Sequence, residues 1–344
     1  MQTTTAIPLR DGCGVLVAIR GGGFRDDSVI RSRRVRRRVH PRHGMRVQEI
    51  KTSTLKLVYE EGGPKDGKPV ILVHGWPDSP RTWDAILPTL HAAGCRTYAP
   101  YLRGYGPTEF RSPLLGRKPK RTGQPVALAQ DIIVLADKLK LKTFDFVGHD
   151  WGARAGYVQA ALFPKRLDRM VTIAVPFVPG PPKPPTPAMA QAIWYQWFFD
   201  TPIGQRSFRQ DYLAFCKRAW DTWSPQGWYT PEQFAAAAKS WTNPDFVDVT
   251  LQSYRGRWNP AEQDTAYGVH QTRFESTLTL DVPTLLLQGL QDGVTLPETT
   301  DGAGRYFTNG YRRVLMEGVG HFPQREQPQW AAEEILRHLR GSAG

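Results

Sequence analysis

The run Phe146-Val147-Gly148-His149-Asp150-Trp151-Gly152 sets a carboxylate at a Gly-x-Asp-x-Gly corner, between an apolar strand-like stretch and the helix-like Ala153 to Phe163. Strand, sharp turn and helix in that order make a nucleophile elbow, and most such turns carry serine where Asp150 stands. The flanking glycines provide space. The central residue is held in a strained backbone conformation, and a larger neighbour would strike the adjoining strand and helix. An aspartate is already ionised at neutral pH, with an ordinary pKa of about 3.9, so it needs no base to become a nucleophile. Attack on an acyl carbon would give an anhydride, which gains little for an ester or amide hydrolase. Attack on a saturated carbon bearing a leaving group gives an ordinary ester that water can later open. Epoxides and alkyl halides are the electrophiles that fit.

An elbow of this kind calls for an acid and a histidine later in the chain, each just past a strand. Asp292 stands in Gly289-Leu290-Gln291-Asp292-Gly293, after the apolar Leu285-Leu286-Leu287. His321 stands in Gly318-Val319-Gly320-His321-Phe322, after Arg313-Val314-Leu315-Met316.

The elements that must position these groups alternate along the chain. Thr54 to Tyr59 is strand-like, and Pro69-Val70-Ile71-Leu72-Val73 is a continuous apolar run of the kind buried in parallel sheets, delivering His74-Gly75-Trp76-Pro77. Helical stretches at Thr82 to Ala93 and Val126 to Leu139 alternate with the strand Thr97-Tyr98-Ala99 and with the elbow strand, and Val171 to Val175 is the next strand. This order predicts a mostly parallel sheet with helices on both faces and ligands at the carboxyl ends of its strands. Pro179-Gly180-Pro181-Pro182-Lys183-Pro184-Pro185 then reads as a stiff linker, followed by an aromatic-rich, helical segment without a strand-like run. Strand texture returns at Pro283 to Gly289 and Arg313 to Met316, followed by the amphipathic Trp330 to Leu339. The expected organisation is a core over 45–178 and 273–344 with a helical cap over 179–272 inserted into it.

Composition limits the alternatives. The chain has 344 residues, 40% hydrophobic and 11% aromatic, enough for one large domain with an inserted lobe. No run approaches the ~18 consecutive apolar residues of a membrane span. Cys13, Cys95 and Cys216 are odd in number, far apart and without metal-ligand spacing, which argues for a reducing, cytoplasmic setting. No metal or cofactor is expected, since a phosphate-binding glycine loop is also missing. Of the net charge of +13, residues 1–44 carry +7, from ten arginines against three aspartates, densest at Arg31 to Arg38. That segment reads as a disordered, solvated extension. Met45 is a candidate true start, because foldable sequence begins just after it; a native peptide spanning Arg42 to Val47 would end that idea. A nucleic-acid partner is not expected, as the folded part carries no such motif.

From about residue 46 onward the chain resembles the epoxide hydrolases of the α/β-hydrolase fold. The His-Gly-x-Pro turn at His74 to Pro77, the Gly-His-Asp-Trp-Gly elbow, and the Asp292 and His321 turns match that family's signatures in order. Some relatives place the acid just after the Val171 strand, but here that position reads Pro176-Phe177-Val178-Pro179. The resemblance implies two lid tyrosines that protonate the epoxide oxygen: Tyr195, in Trp194-Tyr195-Gln196-Trp197, 45 residues past Asp150, and Tyr254, in Ser253-Tyr254-Arg255, 38 residues before Asp292. The backbone N–H groups of Trp76 and Trp151 are the candidate oxyanion donors, and Trp76-Pro77 is a candidate cis bond. His149 and His74 read as packing and bracing residues, and the Arg103-Gly104-Tyr105-Gly106 loop as structural. The implied substrate is a small apolar epoxide, turned into a vicinal diol, and a homo-oligomer is left open. Two alternatives stand. One is a haloalkane or haloacid dehalogenase, for which Trp151 would hold a halide and Arg154 would supply one of two arginines. The other, of a different class, is a ligand-binding member of the fold that has lost turnover.

Overall fold

The computed structural model describes residues 44–111, 119–180 and 184–341; Cys13, the arginine run Arg31 to Arg38 and Pro181 to Lys183 of the linker lie outside the described residues. Among the described residues the strands are β1 (Arg46–Lys51), β2 (Leu55–Gly62), β3 (Lys68–Val73), β4 (Cys95–Pro100), β5 (Glu109–Phe110), β6 (Phe144–His149), β7 (Leu167–Ile173), β8 (Thr284–Gly289) and β9 (Tyr311–Met316). They form one sheet in the order β1-β2-β4-β3-β6-β7-β8-β9, with β5 paired to β2. β2 is antiparallel to β1, β4 and β5, and every pairing from β4 onward is parallel. β1 has no counterpart in the sequence reading. Its residues are exposed except for the half-buried Val47 and Ile50, so the antiparallel ladder from Arg46 opposite Glu61 to Lys51 opposite Lys56 defines it, and no apolar pattern announces it.

Alternation along the strands loads both faces of the sheet. Val70 and Leu72 of β3 join Val147, Leu285 and Leu287 on one face, under α1 (Leu87–Ala92). Ile71 and Val73 join Phe146 on the other, under α2 (Pro125–Lys138) and α3 (Trp151–Leu162). The helix expected over Thr82 to Ala93 is divided: a 3-10 turn capped by Ser79 covers Pro80–Trp83, and α1 starts only at Leu87. Pro88 explains the division, since proline is accommodated in a first helical turn and not in a helix interior.

Between β7 and β8 lie α4 (Pro187–Ala192), α5 (Trp194–Phe198), α6 (Pro202–Gln210), α7 (Tyr212–Thr222), α8 (Pro231–Trp241), α9 (Phe246–Trp258) and α10 (Gly268–Glu275). A Thr-Pro pair starts three of them. The hydroxyls of Thr186, Thr201 and Thr230 accept the N–H of Met189, Gly204 and Gln233, and each following proline occupies a first-turn position where no N–H is needed. Helices α4 to α9 cover the carboxyl edge of the sheet as a roof. α10 instead packs against α2 and α3, so the cap boundary drawn at residue 272 runs through a helix that lies on the core. After β9, α11 (Pro323–Glu326) and α12 (Pro328–Leu339) end the described chain, with Ile335 and Leu336 closing the α1 face. No helix among the described residues is long and apolar enough to cross a membrane.

Candidate active site

Parallel pairing of β3 with β6 sets Val73 opposite Gly148, so the turns that leave these strands run side by side at the carboxyl edge. Asp150 turns the corner at φ 49° and ψ −110°, a region few non-glycine residues enter. The approach is close on both sides. A methyl group on Gly152 would lie 2.0 Å from the Val73 carbonyl oxygen, and one on Gly75 would lie 2.4 Å from Asp150 Cβ. The same closeness lets the Trp76 N–H donate to Asp150 Oδ1 at 2.9 Å. Trp151 is the first residue of α3, so its N–H has no acceptor within the helix. The Trp76-Pro77 bond is cis.

The β8 and β9 turns bring Asp292 and His321 together. His321 Nδ1 donates to Asp292 Oδ2 at 2.9 Å, and Asp292 Oδ1 accepts the N–H groups of Val294 and Thr295 at 2.9 and 2.8 Å. A carboxylate can only accept, so the Nδ1 proton is committed to Asp292 and the lone pair is left on Nε2. That atom is buried without a hydrogen-bond partner, 3.9 Å from Asp150 Oδ2. Burial alone would lower the His321 pKa, but Asp292, its hydrogen bond and Asp150 outweigh burial and raise it above the ordinary value. His149 Nε2 donates to the His321 carbonyl at 2.8 Å, and burial beside His321 lowers its pKa to about 4, which keeps it neutral. His74 Nε2 accepts the Leu102 N–H at 3.3 Å, and its Nδ1 pairs with the Gly75 carbonyl at 3.0 Å, an arrangement that braces the turn carrying Trp76.

Tyr195 from α5 and Tyr254 from α9 come down onto Trp76. The Tyr195 ring stacks on the indole at 5.4 Å, and Tyr254 meets it edge-on at 5.3 Å. The two phenol rings are perpendicular at 5.2 Å, and their hydroxyls interact with each other. Tyr254 also accepts the Trp151 indole N–H at 3.2 Å, and Tyr195 accepts the Gln196 amide at 3.2 Å. Burial, then the charge of Asp150, pushes Tyr195 up to about 12; burial, the neighbouring phenol and Asp150 raise Tyr254 well above the ordinary phenol value. Both hydroxyls therefore keep their protons at any working pH.

Several partners of these groups were not read from the sequence. The Trp223 carbonyl, just past α7, accepts N–H groups from both Gly293 and His321, at 3.0 and 3.1 Å, tying the acid and histidine turns to the roof. Ser224 Oγ accepts the same His321 N–H at 2.8 Å and donates to Glu326, which in turn accepts from Gly320 and Phe322. Arg325 forks onto Asp78 through Nε at 2.9 Å and Nη2 at 2.5 Å, beside the Trp76 turn. Gln196 was legible as Tyr195's neighbour, but its role as a relay was not: its oxygen accepts from Arg257 and Trp258, both at 3.1 Å. Arg103, by contrast, makes a buried bidentate pair with Asp131 at 2.7 and 2.8 Å, in keeping with a structural loop. Among the roof aromatics, Trp197 and Trp258 pack on each other at 5.4 Å, and Trp194 is 45% exposed.

Residues 68–328 match the family described as the alpha/beta hydrolase fold. Epoxide hydrolase A of Mycobacterium tuberculosis is 28% identical over 321 residues, covering 85% of this chain and 96% of that protein. The Bacillus subtilis AB hydrolase superfamily protein YfhM is 24% identical, covering 86% of this chain and 99% of that one. A crystal structure from Klebsiella pneumoniae, provisionally named an epoxide hydrolase, superposes with a TM-score of 0.79 at 34% identity, covering 86% of this chain and 97% of its own. With the elbow, the acid and histidine turns and the helical roof in place, this chain belongs to the α/β-hydrolase fold family, in the branch that holds the epoxide hydrolases.

Proposed function

We propose that this protein hydrolyses an epoxide to a vicinal diol through a covalent ester on Asp150. Trp76 occupies Oδ1, so Oδ2 attacks a ring carbon and the C–O bond on that side breaks. The ring oxygen leaves as an alkoxide, a poor leaving group unless it receives a proton. Tyr195 and Tyr254 give it one proton and one further hydrogen bond. His321 Nε2 then takes a proton from water, which attacks the carboxyl carbon of Asp150. The oxyanion on Oδ1 is held by the Trp76 N–H and the free N–H of Trp151. The acyl–oxygen bond breaks and the diol leaves with the proton from His321. The second water proton, left on the regenerated Asp150 carboxyl, returns to the deprotonated phenol, so Asp150 is again ionised and one of its oxygens now comes from water.

The single observation that carries this reading is the meeting of two phenol hydroxyls above Trp76, the residue whose N–H holds the Asp150 carboxylate. The dehalogenase reading assigns the halide to the Trp151 indole N–H, and that N–H is bonded to Tyr254. A member of the fold without turnover has no need of an intact Asp292–His321 pair. Trp76, Phe199 and Trp223 supply apolar walls for the body of a small substrate. For compartment our reading remains the cytoplasm, with Cys95 and Cys216 free and buried. The test is a single turnover of styrene oxide in oxygen-18 water, followed by mass analysis of the peptide containing Asp150. Label in that carboxylate is the expected result; label found only in the diol would overturn the ester.

A further inference from the structure

Arg154, on the core helix α3, and Arg257, on the roof helix α9, both lie within electrostatic reach of Tyr195 and Tyr254. Arg154 lies one turn into α3, its N–H bonded at 3.1 Å to the carbonyl of Asp150, so the core delivers it to the rim of the elbow. Arg257 lies one turn beyond Tyr254 on α9, with its guanidinium carbon 5.1 Å from the centre of the Tyr254 ring. Gln196 fixes that guanidinium relative to the other phenol, accepting from Arg257 at 3.1 Å and donating to Tyr195 at 3.2 Å.

Neither arginine has a carboxylate partner among the described residues, although most arginines that face the interior here do: Arg103 with Asp131, Arg81 with Glu60, Arg325 with Asp78. Arg154 Nε is buried with no hydrogen-bond partner at all. Two guanidinium groups held near each other in a partly desolvated space repel, and leaving a buried donor unmet is costly. Burial first, then the nearness of Arg257, pushes Arg154 down to about 10, which agrees with that crowding.

We propose that the substrate is an epoxide bearing a carboxylate a few bonds from the ring, with Arg154 and Arg257 gripping the carboxylate while Asp150 faces the ring carbon. This rests on the epoxide reading above and adds an anionic end to a body that is otherwise apolar. A carboxylate between two guanidinium groups meets the unpartnered Nε and cancels the like-charge repulsion, and charge-assisted bonds of this kind are the stronger ones. Its short tether to the ring matches the single helical turn that separates Arg154 from Asp150 and Arg257 from Tyr254.

The test uses unreactive analogues first, so that it does not depend on turnover. Binding of cinnamate and of its neutral isostere cinnamamide is followed by quenching of the pocket tryptophans, for the wild type and for Arg154→Gln, Arg257→Gln, Arg154→Lys and Arg257→Lys. Cinnamate should bind about tenfold or more tightly than the amide, the scale of a charge-assisted hydrogen bond, and the ratio should fall toward one in both glutamine variants and recover in part with lysine. A wild-type ratio near one, or a ratio that the glutamine variants leave unmoved, overturns the proposal and makes Arg154 only a neighbour of the Asp150 charge. A second arm compares kcat/KM of the wild type for phenylglycidate and phenylglycidamide. If both epoxides open at equal rates, the anion site fails and the epoxide reading stands. If neither opens while cinnamate is still selected, the epoxide reading fails and the anion site stands.

Discussion

Asp150 Oδ1 accepts the Trp76 N–H while Oδ2 faces the His321 imidazole, so in the proposed reaction alkylation of Oδ2 would leave the ester carbonyl already in contact with a donor. The electrophilic and hydrolytic halves of the reaction then depend on different residues and can be separated. Replacing Tyr195 or Tyr254 with phenylalanine should slow ester formation by about 10² to 10⁴, the usual range for a positioned proton donor, with little effect on ester breakdown. Stopped-flow quenching of the pocket tryptophans would read the two phases. The pH dependence has a definite sign. His321 must be neutral to act as base, and its pKa lies above the ordinary 6.5, so kcat should fall with acid from a point above that value. Ester formation by Asp150 needs no free imidazole and should persist where kcat has already dropped. An acid limb well below 6.5 would speak against His321 as the base.

At the level of elements, the elbow works because a strand, a turn and a helix are packed more tightly than any side chain but glycine allows at their crossing. Gly152→Ala puts a methyl group against the Val73 carbonyl, an atom of a central strand that cannot move alone. We expect a loss of about 3 kcal/mol or more in urea unfolding, at the upper end for overpacking, together with loss of ester formation as the carboxylate is displaced. The roof is built by a different logic. Its helices are short and start at Thr-Pro pairs, where a hydroxyl and a proline together satisfy the first turn. Those starts are legible in the sequence. The angles between the helices are not, because they come from aromatic contacts such as Phe199 with Phe208 at 4.5 Å and Tyr212 with Phe246 at 5.6 Å, which have no period along the chain.

For the molecule as a whole, the site is a joint between roof and sheet within one compact unit. Trp220 and Trp241 from the roof donate their indole N–H groups to the carbonyls of Pro77 and Asp78 at 2.7 and 2.9 Å, and the Trp223 carbonyl holds the acid and histidine turns together. Arg325 and Asp78 lock the same region from the side of α11, with side chains 7% and 0% exposed. Breaking a buried pair from one side strands the other charge. Arg325→Met should therefore cost about 3 to 5 kcal/mol in urea unfolding, far more than breaking an exposed pair such as Lys217 with Asp221. Equal small losses for the two pairs would mean that the Trp76 turn is held by the roof alone.

The order of strands and helices, the glycine corner with its carboxylate, and the acid and histidine turns could all be named from the sequence, because each is a local pattern of apolar runs and turn residues. β1 could not, since an exposed edge strand is specified by the partner it pairs with. Tyr195 and Tyr254 could be picked out by their neighbours in the chain, but the meeting of their hydroxyls, the Trp223 carbonyl shared by two turns, and the seat of the Arg257 guanidinium between Gln196 and the Tyr254 ring arise only when α5, α7 and α9 settle on the sheet. Contacts between residues far apart in the chain depend on how whole helices pack, and side-chain packing at that range leaves no periodic trace in a single chain.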